Sequence, residues 1–281
     1  MSHPSFDRDE CIEQAYFFRV FRDRMAENMP AQEVLMRLHE ELLSTTRLPM
    51  AVQFLATELK HSGLLASGFE KLPHYFTPFQ AFMIRQSEEE KKKFPTSTAL
   101  LFLEREAKFK ADGFTTAGLF VYHFETIARN KLGYDEGLKA SSEDPVFDTD
   151  WRDYIDLVRR QVGTFDFSDL LYLRSSQYVA DQRRSKPGYE PPVPALFAEK
   201  EGKIAKASRG RDPLFLFAAL QRQLGYPEVP RSQATDGVWK QLRLLEVKVR
   251  ELEARLKMAE GELRGNFDPT QFGKPDLLRD N

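Results

Sequence analysis

Apolar residues recur at helical spacing along most of this 281-residue chain. Residues 150–162 show the pattern most clearly, because their apolar side chains repeat at the three- and four-residue intervals of a helix that buries one face. These side chains are Trp151, Tyr154, Ile155, Val158 and Val162. Alternation of apolar and polar positions, which marks a half-buried strand, is nearly absent. The pattern predicts an all-α fold, a multi-helix bundle of roughly eight to ten helices.

Proline and glycine divide the chain into helical segments. Gly113 and Gly133 each follow a periodic segment, where glycine ends a helix because it adopts positive φ without steric cost. The stretch 185–197 is rich in proline and is predicted to run extended across the helices. The helical segments predicted before residue 226 are 7–28, 30–43, 49–61, 78–92, 97–111, 116–131, 150–162, 168–184 and 212–224.

The C-terminal quarter changes in composition. Residues 227–236 contain proline and polar side chains and few apolar ones, which predicts a linker after an α-helical globular domain at 1–226. A separate helix is predicted at 237–264. The last stretch, 265–281, mixes turn formers with few apolar residues, so we expect it to be disordered.

The predicted helix at 237–264 has the heptad repeat of a coiled coil. When Leu242 is placed at position a, all eight a and d positions are apolar and alternate at spacings of four and three. None of the chain's 23 phenylalanines lies in this segment, which fits the narrow side-chain layers of such a seam. The seam residues are Val238, Leu242, Leu245, Val249, Leu252, Leu256, Ala259 and Leu263.

Charged residues beside the seam favour a parallel pair of identical helices. In a parallel dimer Lys248 faces Glu253 of the partner helix, and Arg255 faces Glu260. An antiparallel dimer would place like charges together. A parallel homodimer is therefore the simplest expectation. The alternatives are a different protein partner, or packing of the helix on its own domain through a second, weaker apolar line at Leu244, Val247, Ala254 and Met258.

Composition limits the classes of function. The 41 basic and 43 acidic residues leave a formal charge of −2, so no general positive field exists to hold nucleic acid. The single cysteine, Cys11, excludes an intrachain disulfide and falls among apolar positions, which indicates a core thiol. The N-terminus lacks the features of a signal peptide, and no apolar run is long enough to cross a membrane. We therefore expect a cytoplasmic protein without membrane partners.

One spacing could bind a metal ion. Glu58 and His61 stand at i and i+3 on a predicted helix, so both side chains could reach one ion. Di-iron carboxylate bundles use two such Glu-x-x-His motifs, whereas this chain has one. His61 also lies at a helix end, where it could serve as a cap. No cofactor is predicted, and a metal ion is the alternative. Further ligands could come from other segments, each of which could offer one ligand at most. The candidates are His39, Glu40 and Glu41; His123 and Glu125; and Glu104 and Glu106.

A short basic segment could bind an anion. It precedes Asp212 and Pro213, a predicted helix start, and cations beside a helix N-terminus can hold a phosphate. Asp212 would itself occupy that terminus, however, and the spacing matches no phosphate-binding loop. A solvated surface segment is the favoured interpretation. The cations are Lys203, Lys206, Arg209 and Arg211.

These observations favour a non-catalytic, cytoplasmic scaffold or adaptor that self-associates through a parallel C-terminal coiled coil. It could also recruit a protein partner. The first alternative is a metal-dependent helical-bundle enzyme, ferritin-like or a related oxidase, that uses Glu58 and His61. The second alternative is an anion- or nucleic-acid-binding protein that uses the basic segment at 203–211. The sequence contains no motif of a serine hydrolase, zinc protease or dinucleotide-binding enzyme.

Overall fold

The computed structural model of the chain describes residues 7–89 and 94–231, together with positions 245, 248, 249, 252, 253, 255 and 256. Within these ranges the secondary structure is helical, with thirteen helices before residue 226 and no β-strand, which confirms the all-α prediction. The chain divides into two compact units, Met1–Ser232 and Gln233–Asn281, and each is described by itself.

The helices of the first unit follow one another closely. In chain order they are α1 (Arg8–Ala26), α2 (Ala31–Glu41), α3 (Leu48–Ser62), α4 (Leu65–Glu70), α5 (Pro78–Glu88), α6 (Thr96–Ala111), α7 (Thr116–Asn130), α8 (Tyr134–Ser142), α9 (Thr149–Gln161), α10 (Phe167–Leu173), α11 (Ser176–Ser185), α12 (Glu199–Ser208) and α13 (Pro213–Leu224).

The helices outnumber the eight to ten expected, for two physical reasons. The short helices α4, α8 and α12 contain too few turns to establish a repeating apolar face. The segment predicted as one helix at 168–184 is instead two, because Ser175 is extended (φ −108°, ψ 153°) and its side chain accepts from Tyr178 N to start α11.

Local chemistry explains where several helices begin and end. Thr77 and Gln80 form a reciprocal capping box at the start of α5, and Asp212 accepts a hydrogen bond from Leu214 N at the start of α13. Gly113 has a φ of +93° just beyond the end of α6, in agreement with the predicted helix stop. The prediction for Gly133 was wrong, because Lys131 is itself left-handed (φ 54°) and caps α7, whereas Gly133 is the N-cap of α8.

The core of the first unit is rich in aromatic side chains. Helix α1 lies along α6 in the most extensive helix–helix contact, and α7 runs through the interior with ten buried residues. Phe120 is fully buried and contacts Trp151, Tyr154 and Phe197 at ring-centroid distances of 5.6, 5.5 and 6.4 Å. The phenylalanines of this region therefore form one continuous apolar core.

The end of the proline-rich stretch 185–197 is hydrogen-bonded to the backbone where α10 ends and α11 begins. The backbone N–H groups of Leu196 and Phe197 donate to Arg174 O at 2.8 and 3.1 Å, and Ser176 N donates to Phe197 O at 2.9 Å. These bonds place the Phe197 ring in the core.

The first unit extends into the predicted linker. In the described part of that linker, 227–231, Val229 is buried and Pro230 O accepts from Asn130 Nδ2 at 3.0 Å. The Tyr226 hydroxyl, just before it, donates to Glu125 Oε2 at 2.6 Å. This segment is therefore packed on α7. Residues 232–236 and the predicted disordered tail, 265–281, lie outside the described residues.

We predict that Gly202→Ala destabilises the protein. A Cβ atom on Gly202 would lie 2.6 Å from Gln177 Cβ and 2.7 Å from Ser175 Cβ, so α12 would have to move away from α11. The free energy of unfolding should fall by ~1–3 kcal/mol. At an uncrowded position inside a helix, a change from glycine to alanine normally raises the free energy of unfolding by ~0.5–1 kcal/mol. A decrease would therefore indicate the steric clash. Urea denaturation measures it, and exposed Lys200→Ala on the same helix should be near neutral.

Candidate functional site

Four ionisable side chains meet in the interior of the first unit. Glu106 and Lys110 lie one turn apart on α6, His123 lies on α7, and Asp144 lies two residues beyond the end of α8. Glu106, His123 and Asp144 are wholly buried, and Lys110 is 7% exposed. Charged groups are almost never buried to this degree unless they are paired, so their geometry is the first clue to function.

The His123 imidazole is held on three sides. Its Nε2 atom lies 2.9 Å from Glu106 Oε1, and its Nδ1 atom lies 3.0 Å from Ser141 Oγ. The Phe79 ring stacks on its face, with centroids 3.7 Å apart and planes within 4° of parallel. The ring therefore has one orientation, and its Nε2 atom points at the carboxylates.

Lys110 supplies the positive charge of the cluster. Its Nζ atom lies 3.0 Å from Glu106 Oε1 and 3.7 Å from Asp144 Oδ2. These are ionic contacts without directed hydrogen-bond geometry, and Glu106 Oε2 and Asp144 Oδ2 make no hydrogen bond. The other Asp144 oxygen accepts from Val146 N at 3.1 Å. Two buried carboxylate oxygens are thus left without a hydrogen bond.

Mutual attraction keeps the cluster charged. Burial alone would raise the pKa of Glu106, but Lys110 and His123 outweigh it and lower that pKa from 4.5 to about 2. Burial alone would lower the pKa of Lys110, but the carboxylates of Asp144 and Glu106 raise it above its ordinary value.

The same atoms form a possible metal-ligand set. One carboxylate oxygen each from Glu106 and Asp144 and one ring nitrogen of His123 lie within 4.8 Å of one another. Among the described residues, this is the one set of three histidine, cysteine or acidic side chains whose ligand atoms lie that close together. It includes neither Glu58 nor His61. The sequence offers Glu106 and His123 as additional ligands, whereas no motif in it singles out Asp144 or Lys110.

Glu58 and His61 occupy the surface of α3. Glu58 Oε1 accepts from Ser67 Oγ at 2.8 Å and from Lys71 Nζ, and these bonds, that to Lys71 first, lower the pKa of Glu58. His61 instead lines a shallow cleft of about 340 Å³ between α2 and α3, together with His39. Glu58 therefore has the partners of a structural contact with α4.

The basic segment is extensively paired with carboxylates. Lys203 pairs with Glu199 one turn earlier on α12, and Lys206 Nζ lies 2.7 Å from Asp181 Oδ2. Asp181 also accepts from the Tyr172 hydroxyl at 2.7 Å. These contacts offset the positive charge of both lysines.

The remaining two cations differ from each other. Arg209 Nε lies 2.6 Å from Asp169 Oδ1, and its guanidinium lies over the Tyr172 ring at 4.3 Å. Arg211 is exposed beside Asp212, whose carboxylate caps α13. Three of the four cations proposed to bind an anion are therefore engaged with acidic residues of the chain.

Cys11 is a core residue. Its side chain is 2% exposed, and burial raises the pKa of its thiol to about 11. The thiol is protonated at neutral pH, so it is a poor nucleophile.

The described positions of the predicted coil form an exposed apolar stripe. Leu245, Val249, Leu252 and Leu256 are helical, and their exposed fractions are 58, 50, 62 and 62%. These residues are spaced four, three and four apart. The other four predicted seam residues lie outside the described residues: Val238, Leu242, Ala259 and Leu263.

Comparisons with models of protein families, with curated proteins and with solved structures found no match. No helix in the described ranges is long and apolar enough to cross a membrane. Two features of the described residues bear on function: the buried charge cluster and the exposed apolar stripe.

We predict that Lys110→Met strongly destabilises the protein in buffer that contains a chelator. The change leaves Glu106 and Asp144 buried without their ammonium partner, which typically costs ~3–5 kcal/mol. Urea denaturation measures the loss. Lys108→Met is the matched control, because Lys108 also pairs with a glutamate one turn earlier but is 53% exposed. That variant should lose less than ~1 kcal/mol, and equal losses would contradict the assigned role of Lys110.

We also predict an acid-dependent loss of stability that involves Glu106. Its folded-state pKa of about 2 lies below its ordinary 4.5, so its contribution is present above pH 4.5 and is lost as pH falls toward 2. The contribution is on the order of 3 kcal/mol. Urea denaturation from pH 5 to pH 3 should show a shallower decline for Glu106→Gln than for the wild type. Parallel declines would show that Glu106 is not held ionised by its neighbours.

Proposed function

We propose that this protein is a non-catalytic, cytoplasmic scaffold or adaptor that forms a parallel homodimer through a coiled coil at 237–264. The supporting observation is the stripe of exposed aliphatic side chains at Leu245, Val249, Leu252 and Leu256. Their spacing is that of alternating d and a positions. An exposed apolar stripe of this kind marks a surface for association.

A second copy of the same helix would cover the stripe. Burial of a leucine or valine side chain contributes ~1.5–3 kcal/mol, and a dimer would bury the stripe of both chains at once. The neighbouring Lys248 and Glu253 are exposed, so each is accessible to the opposite charge of a partner helix. In parallel register Lys248 of one chain meets Glu253 of the other at both edges of the seam.

Dimerisation would place two copies of the helical domain, and so two copies of any binding surface on it, in one particle. Two weak contacts held on one dimer act at a high effective concentration, so a bivalent target binds more tightly than a single contact allows. This consequence is the physical basis for a scaffold or adaptor role, and it requires no catalytic group. A protein partner of the domain fits this role.

We predict that the double variant Leu245→Asp, Leu252→Asp is a monomer. Charged side chains at two d positions would be buried in the seam, which a dimer cannot accommodate without a large desolvation cost. Light scattering after size-exclusion chromatography should give the mass of two chains for the wild type and of one chain for the variant.

The matched control is Leu244→Asp, Met258→Asp, which makes the same kind of change at two c positions outside the seam. This control should remain dimeric. A monomeric wild type, or a seam variant that stays dimeric, would overturn the proposal. Loss of the dimer in the control alone would indicate that the second apolar line makes the contact.

The orientation of the coil can be tested through Lys248. In a parallel dimer Lys248→Glu places two glutamates together and weakens the dimer by ~0.2–1 kcal/mol for each pair. Adding Glu253→Lys should restore the wild-type dissociation constant. In an antiparallel dimer Lys248→Glu would relieve repulsion and tighten the dimer instead. Sedimentation velocity at low salt distinguishes the two signs.

A further inference from the structure

We propose that Glu106, His123 and Asp144 bind one divalent first-row transition-metal ion, in competition with the ammonium group of Lys110. This site lies in the first unit and is independent of the proposed coiled coil. It also differs from the Glu-x-x-His pair at Glu58 and His61.

The first argument is that two buried carboxylate oxygens make no hydrogen bond. Glu106 Oε2 and Asp144 Oδ2 are buried and make no hydrogen bond, although each retains lone pairs that require a positive partner. The Lys110 ammonium approaches one carboxylate at 3.0 Å and the other at 3.7 Å, so it serves the two unequally. A small ion between the carboxylates could contact both.

The second argument is the fixed orientation of the His123 ring. Metal-binding histidines are normally held by a hydrogen bond from the ring nitrogen that does not bind the ion. Here Ser141 Oγ lies 3.0 Å from Nδ1, and Phe79 fixes the ring plane. In the tautomer that binds metal, Nδ1–H donates to Ser141 Oγ and Nε2 directs its lone pair toward the carboxylates.

The spacing and charge of the site select the ion. Tetrahedral ligands at ~2.1 Å from one ion lie ~3.4 Å apart. The three ligand atoms lie within 4.8 Å of one another, so none of these separations has to shrink by more than ~1.4 Å. Two carboxylates and one imidazole suit Zn²⁺, Mn²⁺ or Fe²⁺ better than the all-oxygen cations. A divalent charge would neutralise both carboxylates.

Lys110 makes the proposal testable, because its ammonium group contacts both carboxylates that would bind the ion. Its removal eliminates both the competing cation and the repulsion that Lys110 exerts on a bound ion. We therefore expect Lys110→Met to bind Zn²⁺ at least tenfold more tightly than the wild type does. Because the site is buried, the ion should be supplied as the chain folds.

The experiment uses full-length wild type, Lys110→Met, Lys110→Met with His123→Gln, and His61→Ala. Each is refolded from urea with Zn²⁺ alone or Mn²⁺ alone, desalted without chelator, and examined by native mass spectrometry and circular dichroism. We expect one ion per chain in Lys110→Met, which is lost when His123→Gln is added. His61→Ala should retain as much metal as the wild type.

Three outcomes would overturn the proposal. The first is that neither wild type nor Lys110→Met retains an ion, and the second is that His123→Gln leaves retention unchanged. The third is that Lys110→Met fails to fold with metal as well as without it, since the ion is expected to replace the missing charge. Recovery of the helical signal of Lys110→Met only when Zn²⁺ or Mn²⁺ is present would support the site.

Discussion

Two carboxylates, those of Glu106 and Asp144, are removed from water where α6, α7 and the end of α8 meet, and the surrounding structure has to compensate their charge. Lys110 approaches from the same helix as Glu106, and His123 approaches from α7. This requirement fixes the rotation of α6 and the position of the turn that follows α8, because a shift of either would leave a buried charge without its partner. Aliphatic contacts alone would tolerate such shifts more readily.

Two other acidic residues, the buried Glu10 and the half-buried Glu88, hold irregular backbone in place by the same principle. Glu10 accepts from Arg47 N and from the Tyr75 hydroxyl, both at 2.6 Å, and thereby joins α1 to the turn before α3. Glu88 accepts from the N–H groups of Leu65 and Ala66 at the start of α4, which has no side-chain cap of its own. These carboxylates satisfy backbone donors that regular secondary structure leaves unpaired.

The sequence predicts those features that depend on local periodicity. The long helices and the Asp212 cap follow from spacing alone, whereas the short helix α8 depends on packing against neighbours. The candidate site divides in the same way. Glu106 and Lys110 lie four residues apart on a face that otherwise contains Ala99, Leu103 and Ala107, and charges on an apolar face were a usable signal. Asp144 follows a helix that periodicity did not reveal, so its approach to His123 could not be predicted.

The buried cluster and the exposed stripe both reverse the usual distribution of polarity, and each therefore requires a partner. A buried charge needs a counter-charge, which Lys110 supplies within the chain, although two carboxylate oxygens remain without hydrogen bonds. An exposed line of aliphatic side chains needs apolar cover, and Leu245, Val249, Leu252 and Leu256 remain at least half exposed in the single chain. The buried charges are paired within the chain, and this pairing contributes to stability. The aliphatic stripe is not covered within the single chain, and this exposure indicates association. For this reason the proposed scaffold function rests on the stripe, and the proposed ion site rests on the cluster.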